Sequence, residues 1–278
     1  MPDAAMPDAA MPMDYHTHTH FSWDSSMTPE ELVARAAELG IRELAVTDHI
    51  EVEPGYHGAD QYDWRAAWRE VSAAREKYRG RLNVAFGVEV SFQSRYAGKI
   101  ADLLRQAPFD FVLGSVHSVD GIDYSTRAVE ELEGLARDPL VALEPYFREL
   151  TAAAESGLFD VIGHLEVFLR GGIDAWGRDL AARVWPRVRK CLGAIVRSGA
   201  GIEVNASGLR QGLRQTLPRS RVVRAYYALG GRVVTVGSDG HRPATVGYGI
   251  PRAVALLRRV GFEHLTAFRE RRPVAVPL

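Results

Sequence analysis

Hydrophobic and polar residues along this chain alternate between two patterns. Short apolar or strictly alternating runs read as strands: Glu43-Leu44-Ala45-Val46, the stretch 83–90 with Val84, Phe86 and Val88 on one face, 109–115, Val161-Ile162-Gly163, 201–204 and 232–236. Between them, apolar residues recur every three or four positions, the spacing of a helix with one buried face. The predicted helices follow Thr28 and cover 63–78, 96–106, 140–156, 179–198, 220–229 and 253–260. The first has a full set of end signals. Thr28 is the N-cap, Pro29 sits at N1 and Glu31 at N3, apolar Leu32, Val33, Ala36 and Leu39 follow, and Gly40 stands at C′. The helix over 179–198 packs through Leu180, Val184, Val188, Leu192 and Ile195. Arg170-Gly171-Gly172 reads as a loop, and the residues beyond 260 as an apolar tail.

With a first strand at Asp14-Tyr15-His16, strand and helix alternate seven times, at roughly 35–40 residues per unit, which predicts a parallel sheet covered by helices. An open doubly wound sheet and a closed barrel both satisfy that count. The polar residues separate them. Histidines and carboxylates cluster at the C-terminal ends of strands one, two, three, four, five and seven. Those ends converge on one mouth in a barrel and lie far apart in an open sheet.

The densest cluster is Asp14-Tyr15-His16-Thr17-His18-Thr19-His20, followed by Phe21-Ser22-Trp23-Asp24. In an extended strand, His16, His18 and His20 project to one face. Three imidazoles side by side pack worse than Val or Leu, whereas a shared divalent metal explains them. The same donor types recur as Thr47-Asp48-His49, Gly87-Val88-Glu89, Ser115-Val116-His117, Gly163-His164 and Ser238-Asp239-Gly240-His241. The candidate ligands are therefore His16, His18, Asp24, His49, Glu89, His117, His164, Asp239 and His241.

The order HxH-x5-D, Thr-Asp-His, Gly-Val-Glu, Ser-Val-His, Gly-His and Ser-Asp-Gly-His resembles the polymerase-and-histidinol-phosphatase (PHP) superfamily over about residues 13–250. The stretches Pro108–His117 and Glu203–Arg210 look like its histidinol-phosphatase branch. The resemblance implies an α/β fold, a distorted (β/α)7 TIM-like barrel, around a centre of two or three metal ions. Carried over by position, it places one metal on His16, His18, Glu89 and Asp239. Glu89 bridges to a second on His117 and His164, and a third takes Asp24, His49 and His241. His20, His57 and His264 fall outside that pattern.

Imidazole and carboxylate donors without thiolate suit Zn, Mn or Fe better than Mg or Ca. Clustered cations with an activated water suit phosphate-ester hydrolysis, which points to a metal-dependent phosphomonoesterase using metal-bound hydroxide. Asp239, His241 and Glu89 are the expected catalytic groups. Arg170 and Arg210, just past strands five and six, suit phosphate binding, with Ser118 and Asn205 as further hydrogen-bond donors. Glu51, Glu53, Tyr56 and Glu166 are candidates for recognising the rest of the substrate. The resemblance implies L-histidinol phosphate as substrate, within histidine biosynthesis. The alternatives are a nucleotide or oligonucleotide phosphoesterase and a non-catalytic metal-binding domain.

Bulk properties narrow the partners. The chain has 278 residues, is 46% hydrophobic and 25% charged, and carries a net charge of −1. That balance gives no broad attraction to nucleic acid or a membrane surface. No apolar run reaches the ~18 residues of a membrane span. A single cysteine, Cys191, excludes an internal disulfide and points to a reducing, cytoplasmic compartment. Residues 1–12, a Met-Pro-Asp-Ala-Ala repeat, read as a disordered leader before a single domain over 13–278. A small-molecule phosphate monoester is the expected partner.

Overall fold

A computed structural model describes residues 11–126 and 138–278. Seven parallel strands form the frame. They are β1 (Met13–Asp14), β2 (Glu43–Val46), β3 (Asn83–Ser91), β4 (Phe111–Ser115), β5 (Val161–Ile162), β6 (Gly201–Asn205) and β7 (Val234–Gly237). Each pairs with the next in chain order. The ring closes where the chain just past β1 meets the end of β7. Tyr15 N donates to Val236 O at 2.8 Å, Asp239 N to His16 O at 2.9 Å and His18 N to Gly240 O at 2.9 Å. Residues of β2, β4, β6 and β7 are all buried. That is why these segments read as apolar runs: a parallel strand in a barrel faces core on one side and helices on the other. The expected α/β barrel of seven units is the observed fold.

The helices lie where the 3.6-residue period placed them: α1 (Pro29–Glu38), α2 (Trp64–Lys77), α3 (Ala97–Gln106), α4 (Glu144–Glu155), α5 (Trp185–Ser198), α6 (Ser220–Ala228) and α7 (Ile250–Val260). The end signals of α1 act as read. Thr28 and Glu31 form the reciprocal capping box. Gly40 takes φ +68°, while Ile41 N donates to Ala36 O and Gly40 N to Ala37 O, a Schellman stop.

Four expectations are corrected. The helices expected over 140–156 and 179–198 are each broken, into Pro139–Ala142 with α4 and Leu180–Arg183 with α5. Pro145 and Pro186 lack the N–H a continuous helix needs and start new first turns instead. Arg170-Gly171-Gly172 is not a loop but part of the helix Leu169–Trp176. The final residues form an antiparallel hairpin, β8 (His264–Arg269) and β9 (Arg272–Pro277), rather than a structureless tail. It seals the end of the barrel opposite the site: Phe268 packs against Tyr15 and Phe111, and Arg271 N donates to Asp110 O just before β4. Finally, the expected leader lies outside the described residues except for Met11 and Pro12. These two continue the sheet, accepting from Arg42 N and Glu43 N at 3.2 Å.

Candidate metal centre

At the C-terminal mouth, strand ends deliver their polar residues to one place. Past β1 the chain stays extended long enough to bury His16 and His18 side by side, with ring centroids 5.0 Å apart. It then turns. Thr19 N and Oγ1 donate to Asp48, and Ser22 N returns to Thr19 O. His20 is thereby swung outward to Glu70, 2.9 Å away, and the period-2 alignment ends one residue earlier than the sequence suggests.

Glu89, near the end of β3, occupies the middle. Its Oε2 lies 3.1 Å from His16 Nε2, 3.1 Å from His49 Nδ1 and 3.7 Å from His18 Nε2. Its Oε1 lies 2.8 Å from His164 Nε2 and 3.2 Å from His117 Nε2. Asp239 Oδ1 stands 3.9 Å from His16 Nε2 and 3.7 Å from His18 Nε2. On the outer side Asp24 reaches His241 Nε2 at 2.9 Å and His49 Nε2 at 3.7 Å. All nine candidates thus meet.

The donor set fits cations. His18 Nε2, with its carboxylate neighbours 3.7 Å away, and Glu51 Oε2 are buried without a hydrogen-bond partner, while His49 Nδ1 and His241 Nε2 face carboxylates at 3.1 and 2.9 Å without hydrogen-bond geometry. Leaving a buried imidazole nitrogen such as His18 Nε2 unpaired costs ~1–3 kcal/mol, and a cation between it and the carboxylates it faces accounts for it. Four groups have ligand atoms within 4.8 Å of one another: His16/His18/Asp239, His16/Glu89/His164, His49/Glu89/His117 and His18/His49/His241. They share members, as a multinuclear centre requires.

Surrounding groups fix which nitrogen faces inward. Ser22 Oγ donates to Asp48 Oδ1 at 2.8 Å, so it accepts from His18 Nδ1 at 3.1 Å. Glu51 Oε1 lies 2.8 Å from His117 Nδ1, and the carbonyl of Asp239 lies 3.0 Å from His241 Nδ1. Each ring therefore holds its proton outward and its Nε2 lone pair inward, as metal-bound histidines do. Glu203 on β6 lies 2.7 Å from His16 Nδ1.

Charge follows from this crowding. Burial alone raises the pKa values of Glu89 and Asp239. The histidines around them overcome it, with Arg170 adding its charge at Asp239, and hold both carboxyls well below their usual range. Burial pulls His16 and His117 down. Glu203, Glu89 and Asp239 hold His16 well above its usual value, and Glu89 with Glu51 brings His117 up to about 10. His18 has burial and three neighbouring imidazoles against its charge and falls well below.

The centre opens into a cavity of ≈ 480 Å³, within the range of small-molecule sites. Its wall is divided. Past β5, β6 and β7 stand Arg170, Arg210 and Arg242; past β2 and β4 stand Glu51, Tyr56, Asp123 and Ser125. Arg170 NH2 donates to Asp239 Oδ2 at 3.0 Å and to Ser207 Oγ at 2.8 Å. Arg210 donates to the carbonyls of Ser238 and Asp239, both at 2.6 Å. His57 is exposed, lines the rim and stacks on Trp23 at 5.0 Å.

Two expected phosphate donors are corrected. Ser118 is fully buried and its hydroxyl donates to Glu53, away from the cavity. Asn205 is buried beneath His16, with Nδ2 on Glu203 and Oδ1 accepting from Ser207. Glu53 and Glu166 are likewise consumed by structure. Glu53 fastens Gln93, Ser118, Arg95 and Gly121, and Glu166 forms a buried pair with Arg219. The sequence reading missed Ser22, Asp48 and Glu203. Glu203 left one signal, a carboxylate inside the apolar strand Gly201-Ile202-Glu203-Val204.

Known proteins resemble this chain in sequence and fold. Residues 14–207 match the family described as PHP domain. A Deinococcus radiodurans protein named "Probable histidinol-phosphatase" is 30% identical over 273 residues, 93% of this chain and 97% of the relative. The "Histidinol-phosphatase" of Lactococcus lactis is 24% identical over 263 residues, 92% of this chain and 94% of the relative. The crystal structure of histidinol phosphate phosphatase from Lactococcus lactis, complexed with zinc, L-histidinol and phosphate, superposes with a TM-score of 0.83. It covers 96% of this chain and all (100%) of that one at 23% identity, and shows a shared fold.

Proposed function

The chain belongs to the PHP domain family, and on that premise we propose that it is a metal-dependent phosphomonoesterase hydrolysing L-histidinol phosphate to L-histidinol and phosphate. The observation that carries this reading is the mixed lining of one cavity. The cation centre and Arg170 and Arg210 line it together with the carboxylate of Asp123 and the phenol of Tyr56. Such a site suits a ligand with a phosphate at one end and a cationic head at the other. Histidinol phosphate, with its ammonium and imidazole, has that form, and the names of the relatives agree with it.

We assign His16, His18 and Asp239 to one ion, with Glu89 beside them, and Glu89, His117 and His164 to a second. Asp24, His49 and His241 take a third position. Zinc, manganese or iron fits these donors. When bound, such ions activate water near neutral pH and neutralise charge on the phosphoryl oxygens.

The chain's own groups do the rest. Arg170 is fixed at the rim through NH2 on Ser207 and Asp239 and through NH1 on the Ser125 carbonyl at 3.2 Å, and Arg210 through NH1 and NH2 on the carbonyls of Ser238 and Asp239; the second N–H of Arg170 NH1 and those of Arg210 remain for phosphate oxygens. Asp239 buttresses Arg170 and faces the ion position, so it ties phosphate binding to the centre. Glu89 spans two ion positions with its two oxygens. His241 holds its Nδ1 proton on the carbonyl of Asp239, which turns Nε2 towards Asp24 at the mouth, 2.9 Å away. Asp123, whose Oδ2 accepts from Tyr56 at 2.9 Å, presents negative charge to the substrate's cationic head.

No helix among the described residues is long and apolar enough to cross a membrane. The unpaired Cys191 supports a reducing, cytoplasmic setting, and the near-zero net charge supports a small-molecule substrate over nucleic acid. The test is phosphate release by protein loaded with zinc or manganese. Histidinol phosphate is expected to turn over far faster than nucleoside monophosphates; equal or reversed rates would refute the substrate assignment.

A further inference from the structure

Strand β6 alone among the seven sends no proposed ligand to the ions. Its contribution is Glu203, 1% exposed, whose two carboxylate oxygens are committed to two different ligand residues. Oε1 accepts from His16 Nδ1 at 2.7 Å and from Asn205 Nδ2 at 3.1 Å. Oε2 accepts from the backbone N–H of His164 at 2.8 Å. One side chain thus grips a ligand from β1 by its ring and a ligand from β5 by its main chain, 187 and 39 residues away in sequence.

The two bonds act differently. The first requires the proton of His16 on Nδ1 and presents the Nε2 lone pair towards Glu89 and Asp239. An anionic acceptor there also makes the imidazole a stronger donor to a cation. The second fixes the peptide from which the His164 ring leaves the strand, and so the reach of its Nε2 to Glu89 Oε1, 2.8 Å away. His16 and His164 belong to different ion positions, except in the trio with Glu89 where both meet.

We propose that Glu203 is a positioning residue that sets metal affinity at both ion positions together, through His16 and His164. This rests on the metal-centre reading above. No other charged group can substitute: the remaining partner of His16 Nδ1 is the Asn205 amide at 3.4 Å, which is itself oriented by Glu203.

Glu203→Gln keeps the volume but offers one acceptor oxygen and an NH2. Whichever way the amide turns, the NH2 meets either His16 Nδ1–H or His164 N–H. The expected result is a loss of metal affinity of roughly 10–100-fold, the range seen when such outer partners are removed. It is measured by competition with a chromophoric zinc chelator and by metal content after gel filtration, and both tightly held ions should be lost together. Glu38→Gln, on the exposed face of α1 and bonded to Arg35, serves as the comparison and should retain its metal. Unchanged affinity and content in folded Glu203→Gln would overturn the proposal, and so would loss of one ion alone.

A second measurement needs no variant. In the zinc-loaded parent, long-range nitrogen–proton spectra of the histidine rings should show His16 protonated at Nδ1 and bound through Nε2. The opposite tautomer would overturn the proposal even if Glu203→Gln did not fold. A parent that binds no metal would refute the metal-centre reading itself, a result distinct from either of these.

Discussion

Gly237, at the end of β7, is the position where the smallest perturbation reaches furthest. A Cβ built on it falls inside the contact distance of Glu203 Oε1 and of His16 Cβ, and 3.3 Å from His16 N. The Glu203 oxygen is the tip of a side chain but is pinned by two donors, with a third on the carboxylate's other oxygen. The His16 Cβ is rooted in the extended chain just past β1, which is itself bonded to β7 and the residues after it. Neither can yield cheaply. Gly237→Ala therefore overpacks a closed site, at a cost of about 1–3 kcal/mol. It also weakens the charge-assisted Glu203–His16 bond, which contributes ~1.5–3 kcal/mol. At roughly 2–4 °C per kcal/mol for chains near this size, the metal-free protein should melt roughly 5–24 °C lower. Metal affinity should fall in parallel, since His16 is displaced. Differential scanning calorimetry and chelator competition read the two effects. Gly98→Ala is the control: it lies in the first turn of α3, has nothing within 4 Å of the added methyl, and should be neutral or stabilising. If Gly237→Ala melts within ~2 °C of the parent and holds metal equally well, the argument that β1, β6 and β7 are locked together under the site is wrong.

Asp123→Asn should raise KM for histidinol phosphate about tenfold, the effect of ~1.4 kcal/mol, and leave p-nitrophenyl phosphate unaffected, while Arg210→Ala should raise KM for both; steady-state kinetics on the two substrates separates them. Metal affinity should keep rising through pH 7–9 rather than level off above 6.5, since ions displace protons from rings held well above the usual value, His117 at about 10. The same raised values predict that the metal-free protein loses stability as pH climbs from the unfolded histidine value towards that of folded His117, because the folded state binds more protons in that window. Denaturant melts at several pH values, with and without zinc, check the sign, and a metal-free protein that gains stability from pH 7 to 9 would contradict it. Burial pushes the Cys191 thiol up to about 11, so 5,5′-dithiobis(2-nitrobenzoate) should not label the native protein at pH 8, and rapid labelling would refute its burial.

Much of this molecule is legible in the chain because its regular parts obey two periods. The strands read as apolar runs because both faces are buried, and α1 announced both its ends. The ligand residues were visible because chemistry demanded histidine and carboxylate at strand ends, where packing alone has no use for them. What escaped the sequence depends on contacts between distant segments. Ser118 and Asn205 have suitable polar groups near suitable strand ends, but only the three-dimensional neighbours Glu53 and Glu203 show that those groups are already engaged. The C-terminal hairpin escaped for a local reason. Its two-residue turn is Glu270-Arg271, both with positive φ (49° and 65°), where glycine or asparagine would have signalled the turn. The strain is offset at a distance: Glu270 N donates to Asp110 Oδ1, Arg271 N to Asp110 O, and Arg271 Nε to Asp160 at 2.6 Å.

That hairpin bears on how the chain is born. Phe268 N donates to the hydroxyl of Tyr15, 253 positions earlier, and Val234 N reaches Thr266 Oγ1. The ring's first and last staves thus share a floor made of the hairpin over 264–277. Contacts this remote in sequence form slowly, and a nascent polypeptide still inside the ribosomal exit tunnel does not yet have them. The histidine pair after the first strand must therefore wait, exposed, until residues 264–277 have emerged and paired, so the ions are expected to enter only after that hairpin has been made.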